Sequence, residues 1–256
     1  MARMVAIPVF LITLAAASAG AIAVTGGGGA SEAAGTAATL KPTAQAAHEK
    51  PLTFEDHELF IETNATDGDA GLQQELDGED WRSTKLRDKK GRALVDVRAK
   101  GKLRNFGLTE LFFEAAEPSF DEFPFRKFKE RFPEGKYTWQ GKTVEGRRLV
   151  GSDRLSHLVP DGPVITFPTE AAEVDPDGFT ITWEPVTTPA GVEIVRYIVI
   201  VDQETRSVEL ELDGSATSAD IPGQVLESGT ELGGEVLAKD RNGNQTITAL
   251  PSFRTK

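Results

Sequence analysis

The sequence contains no cysteine in 256 residues. That excludes disulfides, a thiol nucleophile, cysteine-held metal clusters and a lipid-modified N-terminal cysteine. Histidine is scarce: His48, His57 and His157 are the only three, and no pair has the His-Glu-x-x-His spacing of a helical zinc site. There is no Gly-x-Ser-x-Gly elbow to present a serine nucleophile. The glycines at 26–29 follow an apolar leader rather than a strand, so they do not form a phosphate cradle. Positive charge is also in deficit, with 28 Lys and Arg against 40 Asp and Glu and a net charge of -12. A chain this acidic is repelled by nucleic acid and by an anionic membrane surface, so neither is expected as a partner.

Long apolar runs are confined to the front. Arg3 is followed by residues 5–24 without a charge, first bulky and then rich in alanine, glycine and serine. This is the order of a secretory signal peptide, expected at 1–23, with Ala21-Ile22-Ala23 as the preferred cut and Ala17-Ser18-Ala19 as the alternative. An apolar run of about 20 residues is also long enough to stay behind as an uncleaved membrane anchor, although Pro8 and the small residues make it a poor permanent helix. The expected destination is secreted or periplasmic. A secreted chain without cysteine relies on its core alone, which favours a bacterial envelope over an animal exterior. Residues 24–51 are mostly Gly, Ala and Thr and read as a flexible spacer. About 200 residues remain, enough for two domains. Two sequons, at Asn64 and Asn244, would matter only if the source is not bacterial.

Residues 160–256 show the clearest pattern. Short runs rich in Val, Ile and Thr recur, and several alternate apolar with polar: Phe179, Ile181 and Trp183 share one face, as do Val208, Leu210 and Leu212. Asp177-Gly178, Asp213-Gly214 and Asn242-Gly243 supply turns between them. Seven short antiparallel strands in about 90 residues predict a sandwich. Trp183 in the second strand, Tyr197 in the third, and Leu226, Gly229, Thr230 and Leu232 before the sixth resemble a fibronectin type III domain. The resemblance implies that Trp183 and Tyr197 are core residues. It also implies a corner in which a tyrosine hydroxyl bonds backbone upstream; Leu232 occupies that tyrosine's place, so the bond must be missing. The Arg-Gly-Asp adhesion tripeptide is absent.

Residues 52–159 also read as β-rich, with hairpins expected around Lys90-Gly91 and Glu145-Gly146. Between them, Phe125, Phe128 and Phe132 fall on one side of a short helix. The run Phe132, Pro133, Gly135, Tyr137 resembles the crossover and tyrosine corner of an immunoglobulin-like sandwich, and the segment resembles an N-terminal region of secreted bacterial proteins that carry a type III domain. The expected fold is therefore all-β: two tandem β-sandwich domains, 52–159 with a short crossover helix and 160–256 fibronectin type III-like.

Three groups of residues are candidates for chemistry. Glu62, Asp67, Asp69 and Asp77 could supply oxygens to a calcium ion, or could belong to two solvated turns at Asp67-Gly68 and Asp77-Gly78. No other cofactor is expected. Glu110, Glu114 and Glu117 could offer a carboxylate pair, but solvent-facing glutamates explain them equally well. Nine basic residues fall between Lys85 and Arg104, and interleaved Asp88 and Asp96 make that stretch read as an exposed hairpin face rather than an anion site. The expected function is a non-catalytic accessory or adhesion protein that binds an envelope or extracellular protein or polysaccharide through a sandwich surface. Its rivals are a structural spacer or assembly subunit and, behind both, a carbohydrate-active enzyme. Exposed aromatics among Trp81, Trp139 and 120–132 would favour binding, and burial of all these rings would favour the structural role.

Overall fold

The computed structural model describes residues 50–256, which belong to one compact unit. The expected signal peptide and nearly all of the expected spacer lie outside the described residues. The first half is built from β1 (Leu52–Thr53), β2 (Asp56–Asn64), β3 (Asp69–Arg87), β4 (Ala93–Arg98), the one-turn helix α1 (Leu103–Phe106), β5 (Leu108–Glu110), β6 (Phe113–Glu114), helix α2 (Phe125–Arg131), β7 (Gly135–Thr143) and β8 (Arg148–Leu155). The second half follows as β9 (Val164–Phe167), β10 (Glu173–Val174), β11 (Gly178–Glu184), β12 (Ile194–Asp202), β13 (Ser207–Asp213), β14 (Ser218–Pro222), β15 (Glu231–Asp240), β16 (Gln245–Ala249) and β17 (Phe253–Thr255). The protein is an all-β sandwich, as its alternating patterns predict.

Strand β3 organises the first half. Its 19 residues pair with β2 over the first stretch and with β7 over the last, while β6, β5 and β4 pair with it in succession. The turn considered at Asp77-Gly78 does not form, since both residues lie within β3. Leu72, Gln74 and Leu76 face the core, and after a register shift Trp81, Thr84 and Leu86 continue inward. Polar residues at alternate places hide this run from a reading that looks for apolar clusters. Around it pack Phe54, Trp139, Tyr137, Leu149 and Leu155, all nearly inaccessible to water. Helix α2 delivers Phe128 onto this core, with Phe125 and Phe132 half-buried beside it, as the spacing predicts. Tyr137 donates its hydroxyl to the Pro133 carbonyl at 3.0 Å, so a tyrosine corner forms at the expected place.

In the second half a three-stranded sheet, β14-β11-β9, faces the strands β16-β15-β12-β13. Trp183 and Tyr197 pack ring on ring at 5.2 Å in the core between them. The Tyr197 hydroxyl accepts the Val186 N–H at 2.9 Å, which satisfies a backbone group where the chain leaves β11. Leu232 is buried and fills its site without the corner bond. The corner is held instead from the far end of the chain: Thr230 N–H donates to Thr255 Oγ1 at 3.0 Å, and Thr255 Oγ1 donates to the Glu227 carbonyl at 2.5 Å.

The two cores are separate, but the sheet is not. Strand β16 pairs in parallel with β2, which runs one sheet from β8 through β7, β3 and β2 into β16, β15, β12 and β13. Parallel pairing of strands this far apart in sequence needs backbone groups satisfied at its ends. Asn244 supplies them. It is fully buried; its Oδ1 accepts the Ile61 N–H at 2.8 Å, and its Nδ2 donates to the carbonyls of Ser156 and Leu158 at 3.1 and 2.7 Å. Thr63 and Thr246 join hydroxyls at 2.6 Å across the junction, and Thr246 also reaches the Pro160 carbonyl at 2.5 Å. The sequon at Asn244 is thus part of the junction and closed to modification.

Candidate functional site

The four carboxylates considered for calcium do not form one site. Asp69 pairs with Asn64 at one end of the β2–β3 hairpin and Asp77 with Asp56 at the other. Eight residues of strand separate them by roughly 25 Å, whereas calcium ligands must converge within about 2.6 Å of the ion. Asp67 belongs to the turn, where Asn64 Nδ2 reaches its carboxylate at 3.2 Å. Asp77 accepts the N–H of Gly78 at 2.7 Å, the backbone role its Asp-Gly sequence suggests. Among the described residues no three His, Asp or Glu side chains are placed to hold a metal ion.

Glu62 lies elsewhere, at the centre of the junction. On β2 it points away from Leu59 and Ile61, and its two oxygens accept the side-chain amides of Gln73 on β3 and Gln245 on β16. One carboxyl group thereby clasps both halves of the protein. Four more carboxylates surround it: Asp69, Glu114, Glu117 and Glu235. Glu117 lies flat on the sheet where Gly71 has no side chain; a Cβ there would fall 2.2 Å from the Glu117 carboxylate. Burial pushes Glu62 up to about 7, against the hydrogen bonds from Gln245 and Gln73, with Glu114 and Asp69 adding repulsion. Burial and then the charges of Glu62, Glu114 and Asp69 raise Glu117 to about 8. Glu235, on β15, is pushed up to about 7 by burial first and by Glu62 second. Asp69 is raised as well, by burial and by Asp67. Such a cluster favours shared protons over full ionisation. Of the three glutamates considered as a catalytic pair, the fold brings Glu114 and Glu117 to this cluster and leaves Glu110 on β5 opposite Asp77.

The aromatic docking patch is not there. Trp81 and Trp139 are buried, donating to the Thr109 carbonyl at 3.0 Å and to Gln74 at 2.7 Å, and the rings of 120–132 are buried or half-buried around α2. Among the described residues the exposed phenylalanines are Phe106 and Phe112.

An open polar face does exist, on the outer side of β8-β7-β3-β4. Side chains alternate along each strand, so Leu86, Trp139 and Leu149 enter the core while Lys85, Arg87, Gln140, Lys142 and Arg148 face outward. They line a trough of about 500 Å3 with Arg98 and Asp96 from β4. A second hollow of about 600 Å3 shares Ser83, Arg98 and Lys142 and adds Arg82, Lys100 and Arg104. Asp96 is the one acid in either lining, and it accepts from Lys85 at 2.8 Å and from Arg98 at 3.2 Å. The run from Lys85 to Arg104 was read as a solvated hairpin face. The fold adds Lys142 and Arg148 from strands 40 to 60 residues away, and the hairpin becomes one wall of a cationic trough.

No family model matches the chain, and no curated protein matches it. Among solved structures it is similar to the FN1-FN3 domains of chicken CNTN1, at 10% identity and a TM-score of 0.31, over 80% of this chain and 65% of that one. It is also similar to the fn3 domain of the human collagen alpha-1(XX) chain, at 16% identity and a TM-score of 0.27, over 39% of this chain and 90% of that one. The chain therefore spans just under two thirds of the length of the chicken chain it matches. In the second half, β14-β11-β9 packs against β16-β15-β12-β13 as a two-sheet sandwich.

Proposed function

We propose that this is an exported, non-catalytic binding protein of the cell envelope, in which the second half serves as a rigid mount for a recognition face on the first. The observation that carries this reading is the outer face of β8-β7-β3-β4: an open, polar, cationic trough on a protein whose net charge is -12. Solvated basic residues scattered singly would need no explanation; eight lining two contiguous hollows with one acid are a surface feature. The continuous sheet fixes the direction in which that face points relative to the second half, which is what an adhesion or accessory module requires. The export signal and the choice of a bacterial envelope rest on residues 1–49 and on the lack of cysteine.

The test is capture from an envelope extract by the full tagged chain, compared with a variant carrying Lys142→Glu and Arg148→Glu. A saturable partner retained by the native chain and lost by the variant supports the reading. Nothing retained above a tag-only control favours the spacer or assembly role.

A further inference from the structure

Building on that reading, we infer that the trough on the outer face of β8-β7-β3-β4 binds an acidic polysaccharide, taking its carboxylates on Lys85, Arg87, Lys142 and Arg148 and its hydroxyls on Ser83 and Gln140.

Charge complementarity selects an anion. Of the trough's basic groups, Lys85 and Arg98 share Asp96, while Lys142 and Arg148 have no acidic partner among the described residues. The distribution of the charges selects a polymer. They do not converge on one point, as donors around a single phosphate do. They are spread over four neighbouring strands, with Lys85 and Arg87 about 7 Å apart along β3 and further steps of about 4.8 Å from strand to strand. A chain with one negative charge per repeating unit can meet several of them at once. The trough also continues into the hollow beside Arg82, Lys100 and Arg104, so a ligand longer than one site can extend along it.

The uncharged lining selects sugar. Ser83 and Gln140 stand between the cations on β3 and β7 and can exchange hydrogen bonds with ring hydroxyls. Neither hollow is lined by an aromatic side chain, which removes the stacking platform that single-stranded nucleic acid uses. A densely charged duplex would also meet the repulsion of the remaining acidic surface. A trough of about 500 Å3 is in the range of small-molecule sites and is concave, so a flat lipid surface cannot follow it.

The experiment measures binding of the full chain to polygalacturonate, with neutral dextran, poly-glutamate and a DNA duplex as comparison probes. The expected result is saturable binding to polygalacturonate alone, weakening at least tenfold between 50 and 300 mM salt because exposed charges are screened. Combined Lys142→Glu and Arg148→Glu, which breaks no ion pair among the described residues, should lower that affinity at least tenfold with an unchanged melting temperature. Arg126→Glu, an exposed reversal on α2, should leave it intact. No binding to polygalacturonate, equal binding to poly-glutamate or DNA, or equal binding by the double variant would overturn the inference. If the envelope capture succeeds while polygalacturonate fails, the binding role stands and only the class of partner is wrong.

Discussion

The two charged regions of this protein sit on one continuous sheet and behave in opposite ways. At the junction, Glu62, Glu117 and Glu235 are withdrawn from water and crowded by like charges, so burial drives all three towards the protonated form. In the trough, Lys142 and Arg148 stand in solvent, where a charge costs little to keep. The comparison teaches that charge alone does not mark a recognition surface. A buried carboxylate between two glutamine amides is a fastener that titrates; an exposed cation on an outward strand position is free to meet a partner. A reading by composition alone would favour the acidic residues, which are the majority, and would choose the wrong region.

The sharpest way to break the comparison is to destroy the junction. Asn244→Ala strands the Ile61 N–H and the carbonyls of Ser156 and Leu158 in a dry site. Unsatisfied buried groups cost about 1–3 kcal/mol each, so a loss of about 3 kcal/mol in chemical denaturation is expected. A loss below about 1 kcal/mol would show that the two halves do not depend on this residue.

Next in size is Glu62. Its folded pKa, about 7, lies above the ordinary 4.5, so the folded protein binds more protons than the unfolded chain between those values. This contribution to stability is therefore full below about pH 4.5 and falls as pH rises through 7, and Glu117 extends the decline towards 8. The melting temperature should drop from pH 5 to pH 8.5. Glu62→Gln, neutral at every pH, should flatten that slope and raise stability at pH 8.5. Glu62→Ala should lose about 1–3 kcal/mol at pH 5, because Gln73 and Gln245 are left without a partner. A native melting curve independent of pH would remove the titrating fastener.

Tyr137→Phe sharpens the picture within the first half by deleting the bond to the Pro133 carbonyl and nothing else, for an expected cost of about 1 kcal/mol. An equal stability would place this corner with the one at Leu232, which holds without a hydroxyl. The smallest effect belongs to the trough: Lys142→Glu with Arg148→Glu should change unfolding free energy by no more than about 0.5 kcal/mol, because both are exposed and surface substitutions away from special features rarely do more. A large loss there would mean that these cations hold the fold rather than face a ligand.

Several features were legible in the residues themselves. Phe179, Ile181 and Trp183 gave their strand by alternation, Lys90-Gly91 and Glu145-Gly146 gave their turns by backbone preference, and the spacing of Phe125, Phe128 and Phe132 gave α2. These signals are local, and local sequence carries them. The corner at Tyr137 was readable for the same reason, since donor and acceptor are four residues apart. By contrast, the long strand β3 was hidden because Gln73, Gln74 and Glu75 are polar while the strand they occupy is central. Gln74 is buried beside Leu72 and Leu76, where its carbonyl accepts from Trp139, 65 residues away.

What the sequence by itself determined, then, is the all-β class, the turns at Lys90-Gly91 and Glu145-Gly146 and the side of α2 that carries Phe125, Phe128 and Phe132, because periodicity and turn chemistry act over a few residues. Tertiary structure alone decided the rest. It merged the two halves through β2 and β16, turned Glu62 from a calcium candidate into a clasp between Gln73 and Gln245, and gathered Lys85, Lys142 and Arg148 from three strands into one trough. The physical reason is common to all three: burial and charge proximity depend on which strands become neighbours, and strand pairing across 60 to 180 residues leaves no mark in any short stretch of the chain.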